Sequence, residues 1–420
     1  MKLEELCNAL GFSEKEYAVL TPFFAEFQKN CSESFPHFMA PDDAMKYFPY
    51  VQRDIDIRPR MEKVAGIVAG NPAAAFFADL LHYSFYRRQV WCIELNCLPH
   101  AEKMFGEDTG IFYLMIALGA FPLIEKKYEA MNIPHEMVEK LGLWVGGAVD
   151  IYAAGHNGTP GLSSRQLHWM RHSIDGKLFR IGRLEFLLHE YPDWVPAAYR
   201  SRKDGTLCLL SGNGITYTAD GRRPDPESVE AELIVSTLEI TENSVRGFRI
   251  LPNGYAEVDK ITVLDLDEWE SVAGANEIVP GIHIPGGESL SEKTIRESLQ
   301  EAVIFFRKYF DLEIRMFVSS SWLFFYEWQK ELPQSNIAAF AREGYLFPTF
   351  PLTRTNGLFF VFGRSDEDIR ELPQRNSLEK AFHRVLESGR FLGDCGWLYL
   401  ASDIDEYGTQ KYRRQYQIAE

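Results

Sequence analysis

Few of the signatures that announce a chemistry are present in this sequence. Six cysteines are scattered over 420 residues and none forms a C-x-x-C pair. Cys92 and Cys97 also lack metal-ligand spacing with any histidine pair. That excludes a disulfide-stapled scaffold and a zinc ribbon, and it predicts reduced thiols in a cytoplasmic protein. No G-x-S-x-G elbow, P-loop or H-E-x-x-H occurs, which removes the hydrolase, phosphate-loop and zincin readings. His168 and His172 have the i, i+4 spacing of a metal pair, but no third ligand stands near them, and no metal is expected. Positive charge is scarce: Lys and Arg total 44 against 60 Asp and Glu, a net −16. A broad nucleic-acid-binding face is therefore not expected, and an anionic ligand has to be held locally by backbone amides and a few basic side chains. The longest apolar run, Gly110 to Ile124, is short for a membrane span and contains Pro122. The opening MKLEELCNALGF is mixed rather than signal-like, so we expect a soluble protein without a membrane partner. There is no internal repeat or low-complexity segment.

What is present is ample core material: 46% hydrophobic and 14% aromatic residues, over a length that suggests two or three domains. From Met1 to about Asp175 the periodicity is helical. It predicts helices over Leu3–Leu10, Glu14–Asn30, Arg58–Ala69, Pro72–Arg88, Ile111–Met131 and His135–Ala154, with short connections that favour an antiparallel bundle. Phe76, Phe77, Tyr83, Phe85, Tyr86 and Trp91 read as core or interdomain packing. After a helix over Ser164–Ile174 the character changes to strands. Leu178–Leu188 alternates so that Phe179, Ile181, Arg183 and Glu185 share one face. Such charges are paired with one another or face a cleft. Further strands are expected at Thr206–Leu210, Gly214–Thr218, Val245–Ile250, Leu312–Trp322, Thr349–Thr353, Leu358–Phe362 and Gly396–Ala401, the last following a helix over Leu378–Glu387. The acidic stretch Asp225–Glu242 reads as a solvated excursion.

The chain is organised around Val279–Phe310. An apolar strand, Ile278–Ile284, enters a Pro-Gly-Gly turn and then an amphipathic helix. Ser289 with Glu292 fits a capping box, while Ser291 as cap lets Leu290 staple onto Ile295. Ile295, Leu299, Val303, Phe306 and Phe310 form one apolar stripe. Free amides at such a helix start favour an anion, so strand, glycine turn and helix together suit a pyrophosphate; an ordinary strand-to-helix turn fits the same residues.

Four segments carry a family resemblance: DIYAAGHNGTPG (Asp150–Gly161), GKLFRIGRLEF (Gly176–Phe186), IHIPGGESLS (Ile282–Ser291) and MFVSSSWLFF…LPQSNIAAF (Met316–Phe340). The whole chain resembles bacterial acyltransferase-domain proteins that join a helical N-acyltransferase N-terminal domain to a GNAT-like C-terminal domain. The resemblance implies an α+β protein: an all-helical domain over 1–175 followed by a GNAT-like mixed α/β domain over 176–420. It implies an N-acyltransferase that moves an acyl group from acyl-CoA or acetyl-CoA, or from an acyl carrier protein, to a small-molecule amine or other acyl acceptor. Such folds hold the thioester in a splay between two parallel strands. On that view Ile284, Gly286, Gly287, Glu288, Ser289 and Ser291 bind the cofactor's pyrophosphate region, and Trp322 and Asn336 approach the acyl end. Two positions depart from the pattern. Pro285-Gly286-Gly287 replaces the usual Gln or Arg followed by x-x-Gly-x-Gly/Ala, and Phe340 stands where a tyrosine general acid is common. Both keep open a catalytically inactive GNAT-like protein that binds an acyl-CoA or a protein partner.

Acyl transfer to an amine needs a base, a polarised carbonyl and a proton for the thiolate. His283, just before the turn, is the leading base; a backbone-bonded core histidine reads equally onto it. Glu185 is second, as a carboxylate whose pKa a dry cleft would raise, or else as the partner of Arg183 or Arg180. Ser321, with Ser319 and Ser320, suits a proton relay or a strand-end turn. Trp322 suits an acyl-pocket wall or core packing, and Asn336 a thioester ligand or, like Ser335, a helix cap.

Overall fold

The computed structural model describes residues 1–88, 101–224, 233–273, 276–349, 356–364 and 368–418. The chain divides into two compact units, Met1–Arg180 with Pro285–Gly287, and Ile181–Ile284 with Glu288–Glu420. The fold class is α+β, a helical region followed by a mixed sheet.

The first unit is helical because its apolar residues recur at helical spacing and its breaks carry capping chemistry. Asn71 accepts from the amides of Ala73 and Ala74, with Pro72 in the first helical position, so one helix ends and Pro72–His82 begins. Its Phe76 and Phe77 are buried, as are Phe85 and Tyr86, and Phe77 stacks on Phe112 at 5.8 Å. Trp91, Cys92 and Cys97 lie outside the described residues. Pro41–Val51 is a helix that the periodicity had not marked. The expected helix Ile111–Met131 is two, Thr109–Leu118 and Phe121–Ala130, parted at Gly119-Ala120 ahead of Pro122. Every residue of Thr109–Leu118 is buried. The wider stretch Glu102–Ala130 is long and apolar enough to cross a membrane, yet 83% of its apolar window is buried inside the fold, as in a core helix.

In the second unit the main sheet is built from β1 (Leu184–Glu190), β2 (Ile278–His283), β3 (Met316–Ser321), β4 (Tyr345–Pro348) and β5 (Cys395–Leu400). The order across it is β1-β2-β3-β5-β4. β2 and β3 are parallel neighbours and the other pairs are antiparallel. Helix Glu292–Phe310 buries Ile295, Leu299, Ala302 and Phe306, and Phe306 meets Phe186 of β1 edge-on at 6.3 Å. The chain between β1 and β2 folds into small antiparallel sheets, one around Ala197–Ser201 and Leu207–Leu210 and one around Ser244–Gly247 and Thr262–Asp265.

Two strand expectations change, and a third falls outside the described residues. Leu178–Leu188 is broken at Gly182-Arg183, where Gly182 has φ +58° and a Cβ would stand 2.5 Å from Ser298 Oγ. Glycine is required there, and alternation alone does not register a turn. Leu358–Phe362 is a helix: Gly357, at φ +91°, precedes a short apolar run whose period is ambiguous. The strand expected at Thr349–Thr353 lies almost wholly outside the described residues, which omit 350–355; a strand the sequence had not marked, Tyr345–Pro348, comes just before it. Part of the acidic excursion, 225–232, also lies outside them. Its described remainder holds the strands Ile234–Val235 and Glu239–Ile240.

Candidate functional site

The seam between β2 and β3 is open. β1 and β2 pair without interruption from Glu190 opposite Ile278 to Glu185 opposite His283. Between β2 and β3 the register is confined to Gly281 opposite Val318. Outside that position no ladder pairing joins β2 and β3, and their facing backbone groups need other partners. One is visible: Ser319 Oγ donates to the Ile282 carbonyl at 2.8 Å.

Register fixes what faces this gap. Residues opposite each other in an antiparallel pair point to the same side, so Glu185 and His283 share a face with Leu187, His189, Val279 and Gly281. The other face carries Phe186, packed on the helix. Glu185 is buried and His283 only partly so. The two leading candidates thus stand side by side.

His189 joins them. Its Nδ1 lies 2.8 Å from the Glu190 carbonyl oxygen, which can only accept, so Nδ1 carries a proton and, when the ring is neutral, the lone pair sits on Nε2. That nitrogen lies 2.4 Å from where a Cβ on Gly281 would stand, so the ring rests over the strand at the point where the seam opens. The sequence reading had ended its strand at Leu188. Alternation carried one residue further would have put His189 on the face of Glu185.

The turn after β2 is held from several sides. Ser291 is the helix cap, its Oγ accepting from Thr294 N at 3.3 Å; Ser289 instead accepts from Asn336 Nδ2 at 3.1 Å. Asn336 is not the cap of its own helix, because Ser335 fills that role for Asn336–Glu343. Arg183 Nε and Nη2 donate to the Glu288 carbonyl at 3.1 and 3.0 Å, and Nε also reaches that of Ser289 at 3.2 Å. The Arg183 amide meets Ser298 Oγ at 2.6 Å. Arg183 thus clamps the chain entering the helix. In the first unit, Gly286 and Gly287 are exposed, Gly287 has φ +94°, and Arg53 Nη2 lies 4.0 Å from the Cβ position of Gly287. Arg53 is paired with Asp150, whose carboxylate raises its pKa further. Sequence reasoning had no signal for Arg53, which comes to the glycines only through the fold.

The other candidates are placed as follows. Ile284 is half-buried at the end of β2. Ser321 Oγ accepts from Leu323 N at 3.2 Å, so it caps a turn. Ser320 Oγ donates to Thr349 Oγ1 at 3.4 Å. Trp322 packs against Trp328 and Phe382, at ring separations of 6.1 and 5.6 Å, beside a core cluster. Phe340 meets Phe324 and Trp397 edge-on and is buried. His168 and His172 lie in the first unit, where burial lowers both pKa values.

A protein-family model described as GNAT-like C-terminal domain matches residues 178–398. Among solved structures, the chain is similar to an acyltransferase in complex with decanoyl-CoA and teicoplanin, at 20% identity and a TM-score of 0.59, over 96% of this chain and 100% of that one. A mutant acyltransferase in complex with octanoyl-CoA gives 20% identity and 0.58, over 95% and 99%. An acyltransferase in complex with CoA and 10C-teicoplanin gives 20% and 0.56, over 96% and 100%. At these identities the likeness establishes the fold. No curated protein matches the sequence. Strand order, open parallel seam and a family match spanning more than half the chain agree: it belongs to the GNAT-like C-terminal domain family.

Proposed function

We propose that the chain is an acyltransferase that moves an acyl group from a CoA thioester to an amine. The observation that carries this reading is the open β2–β3 seam, which leaves backbone donors and acceptors beside a histidine of fixed tautomer. A pantetheine arm has amides that complement such an edge, and the solved relatives hold CoA or acyl-CoA. The helix start at Ser291, in the same unit as the seam, suits the phosphates.

The chemistry assigns His189 as the base. Its Nε2 takes a proton from the attacking amine. As the nitrogen of a neutral amine bonds to the thioester carbonyl carbon, the C–S bond breaks and the thiolate leaves as thiol, taking the proton that the imidazole removed from the amine. His283 and Glu185, on the same face, set the electrostatics around that ring. Phe340 offers no acid, so the imidazolium is the proton donor to the thiolate.

The test is release of free thiol from decanoyl-CoA in the presence of an amine panel. His189→Ala should lower kcat by about 10²–10⁴-fold, the range for a lost general base. It should leave binding of decanoyl-CoA unchanged. Equal turnover in His189→Ala would remove His189 from the chemistry. No thiol release by the wild-type protein that nevertheless binds decanoyl-CoA would favour a binding role.

A further inference from the structure

A group of contacts in the second unit bears on the start of helix Glu292–Phe310, and no reaction step described above uses it. Glu343 is the last residue of helix Asn336–Glu343 and is buried. Its Oε2 accepts from the amides of Gly408 at 2.8 Å and Gln410 at 3.2 Å. Burial pushes the carboxyl up and the Glu292 carboxylate adds to this, while the two amides and Arg414 oppose it. A buried carboxylate is costly unless it is hydrogen-bonded, so residues 407–410 are the partner that Glu343 requires.

That turn is a short span between anchored ends. Ahead of it, Tyr399 OH donates to the Asp403 carbonyl at 2.9 Å. After it, Lys411 Nζ donates to Asp403 Oδ1 at 2.8 Å and Tyr412 OH to Asp403 Oδ2 at 3.1 Å. Tyr416 OH donates to the Leu207 carbonyl at 2.8 Å. Between these fixed flanks, Glu343 sets where the middle of the turn lies. Gly408 has φ +101°, and a Cβ there would run into the Glu292 carboxylate, so bare backbone lies against the first residue of the helix.

The turn therefore reaches the segment that enters the helix by two routes. One is direct, Gly408 against Glu292. The other runs through Asn336–Glu343, whose last residue holds the turn and whose first donates Nδ2 to Ser289 Oγ at 3.1 Å. We propose that Glu343 is a positioning residue for acyl-CoA binding: through the turn and through its own helix it fixes residues 289–292 in the geometry that receives the phosphates. The inference rests on the acyl-transfer reading, which puts the phosphates at this helix start. Coupling of this kind is reciprocal, so a ligand bound there must in turn steady residues 407–410.

Amide hydrogen exchange of the full chain, with and without decanoyl-CoA, tests it together with calorimetric titration of decanoyl-CoA. In the wild-type protein the ligand should slow exchange at Gly408 and Gln410 by about fivefold or more, the lower end of ordinary coupling. Glu343→Ala should speed exchange there without ligand and weaken decanoyl-CoA by about tenfold, raising KM with a much smaller change in kcat. Glu343→Gln keeps an acceptor oxygen and should recover most of the affinity. Gly408→Ala leaves Glu343 in place and pushes on the exposed Glu292 side chain. It should also weaken decanoyl-CoA, and it carries the test if Glu343→Ala does not fold. Decanoyl-CoA that binds the wild-type protein and leaves exchange at Gly408 and Gln410 unchanged overturns the proposal, as does wild-type affinity in Glu343→Ala. No binding of decanoyl-CoA by the wild-type protein would strike the acyl-transfer reading and this role with it, while the exchange rates without ligand still decide whether Glu343 holds the turn.

Discussion

β2 has two neighbours and treats them differently. Toward β1 its ladder is complete and antiparallel, with Phe186 and Ile282 buried behind it. Toward β3 it is parallel and registers at a single position. A complete ladder satisfies its own backbone and has nothing to offer a ligand. An incomplete one must find partners for exposed amides and carbonyls, and Ser319 supplies one of them. The closed seam is thus the rigid reference that holds His189, His283 and Glu185 in register, and the open seam is the part with bonding capacity to spare.

The comparison breaks most completely at Gly281, the one residue that belongs to both seams. Gly281→Val places a Cβ 2.4 Å from His189 Nε2, too close to coexist, so the ring is displaced. Thiol release from decanoyl-CoA should fall at least about a hundredfold, as for other misplacements of a reacting group by an ångström. Unchanged turnover would mean that His189 is not held by this contact. Arg183→Met removes the donors that clamp the Glu288 and Ser289 carbonyls. Hydrogen bonds from a charged group are worth about 1.5–3 kcal/mol each way, so decanoyl-CoA affinity should drop by roughly tenfold or more with kcat little changed. A kcat loss without a change in affinity would put Arg183 in the chemistry instead. The smallest effect should come from Ser319→Ala, which leaves the Ile282 carbonyl without that bond. About 1 kcal/mol of unfolding free energy is at stake, and a denaturant titration reads it. A stability gain would show that the open seam is strained by the bond rather than supported by it.

Much of this arrangement was legible in the sequence. Ile278–His283, the turn and the helix to Phe310 follow from an apolar run, two glycines and a stripe at helical spacing, and Ser291 took the cap that one of two readings gave it. Glu185 and His283 were each singled out from strand position. Their adjacency was not, because an antiparallel register between segments so far apart leaves no local trace. Arg53 was invisible for the same reason. Gly182 was misread because one glycine within an alternating run does not distinguish a strand from a turn until something packs against it, here Ser298. Leu358–Phe362 failed on length, since five apolar residues fit either period.

The pairing of Glu190 with Ile278 encloses the whole of residues 191–277, a segment with small sheets of its own. Closing so long a loop costs entropy before the ladder can repay it, and contacts of high sequence separation slow folding. The inserted sheets are local and can form early, whereas the β1–β2 seam has to wait for them. The face that carries Glu185, His189 and His283 is therefore among the last parts of the second unit to be assembled, and refolding should recover the signal of the inserted sheets before it recovers acyl-CoA binding.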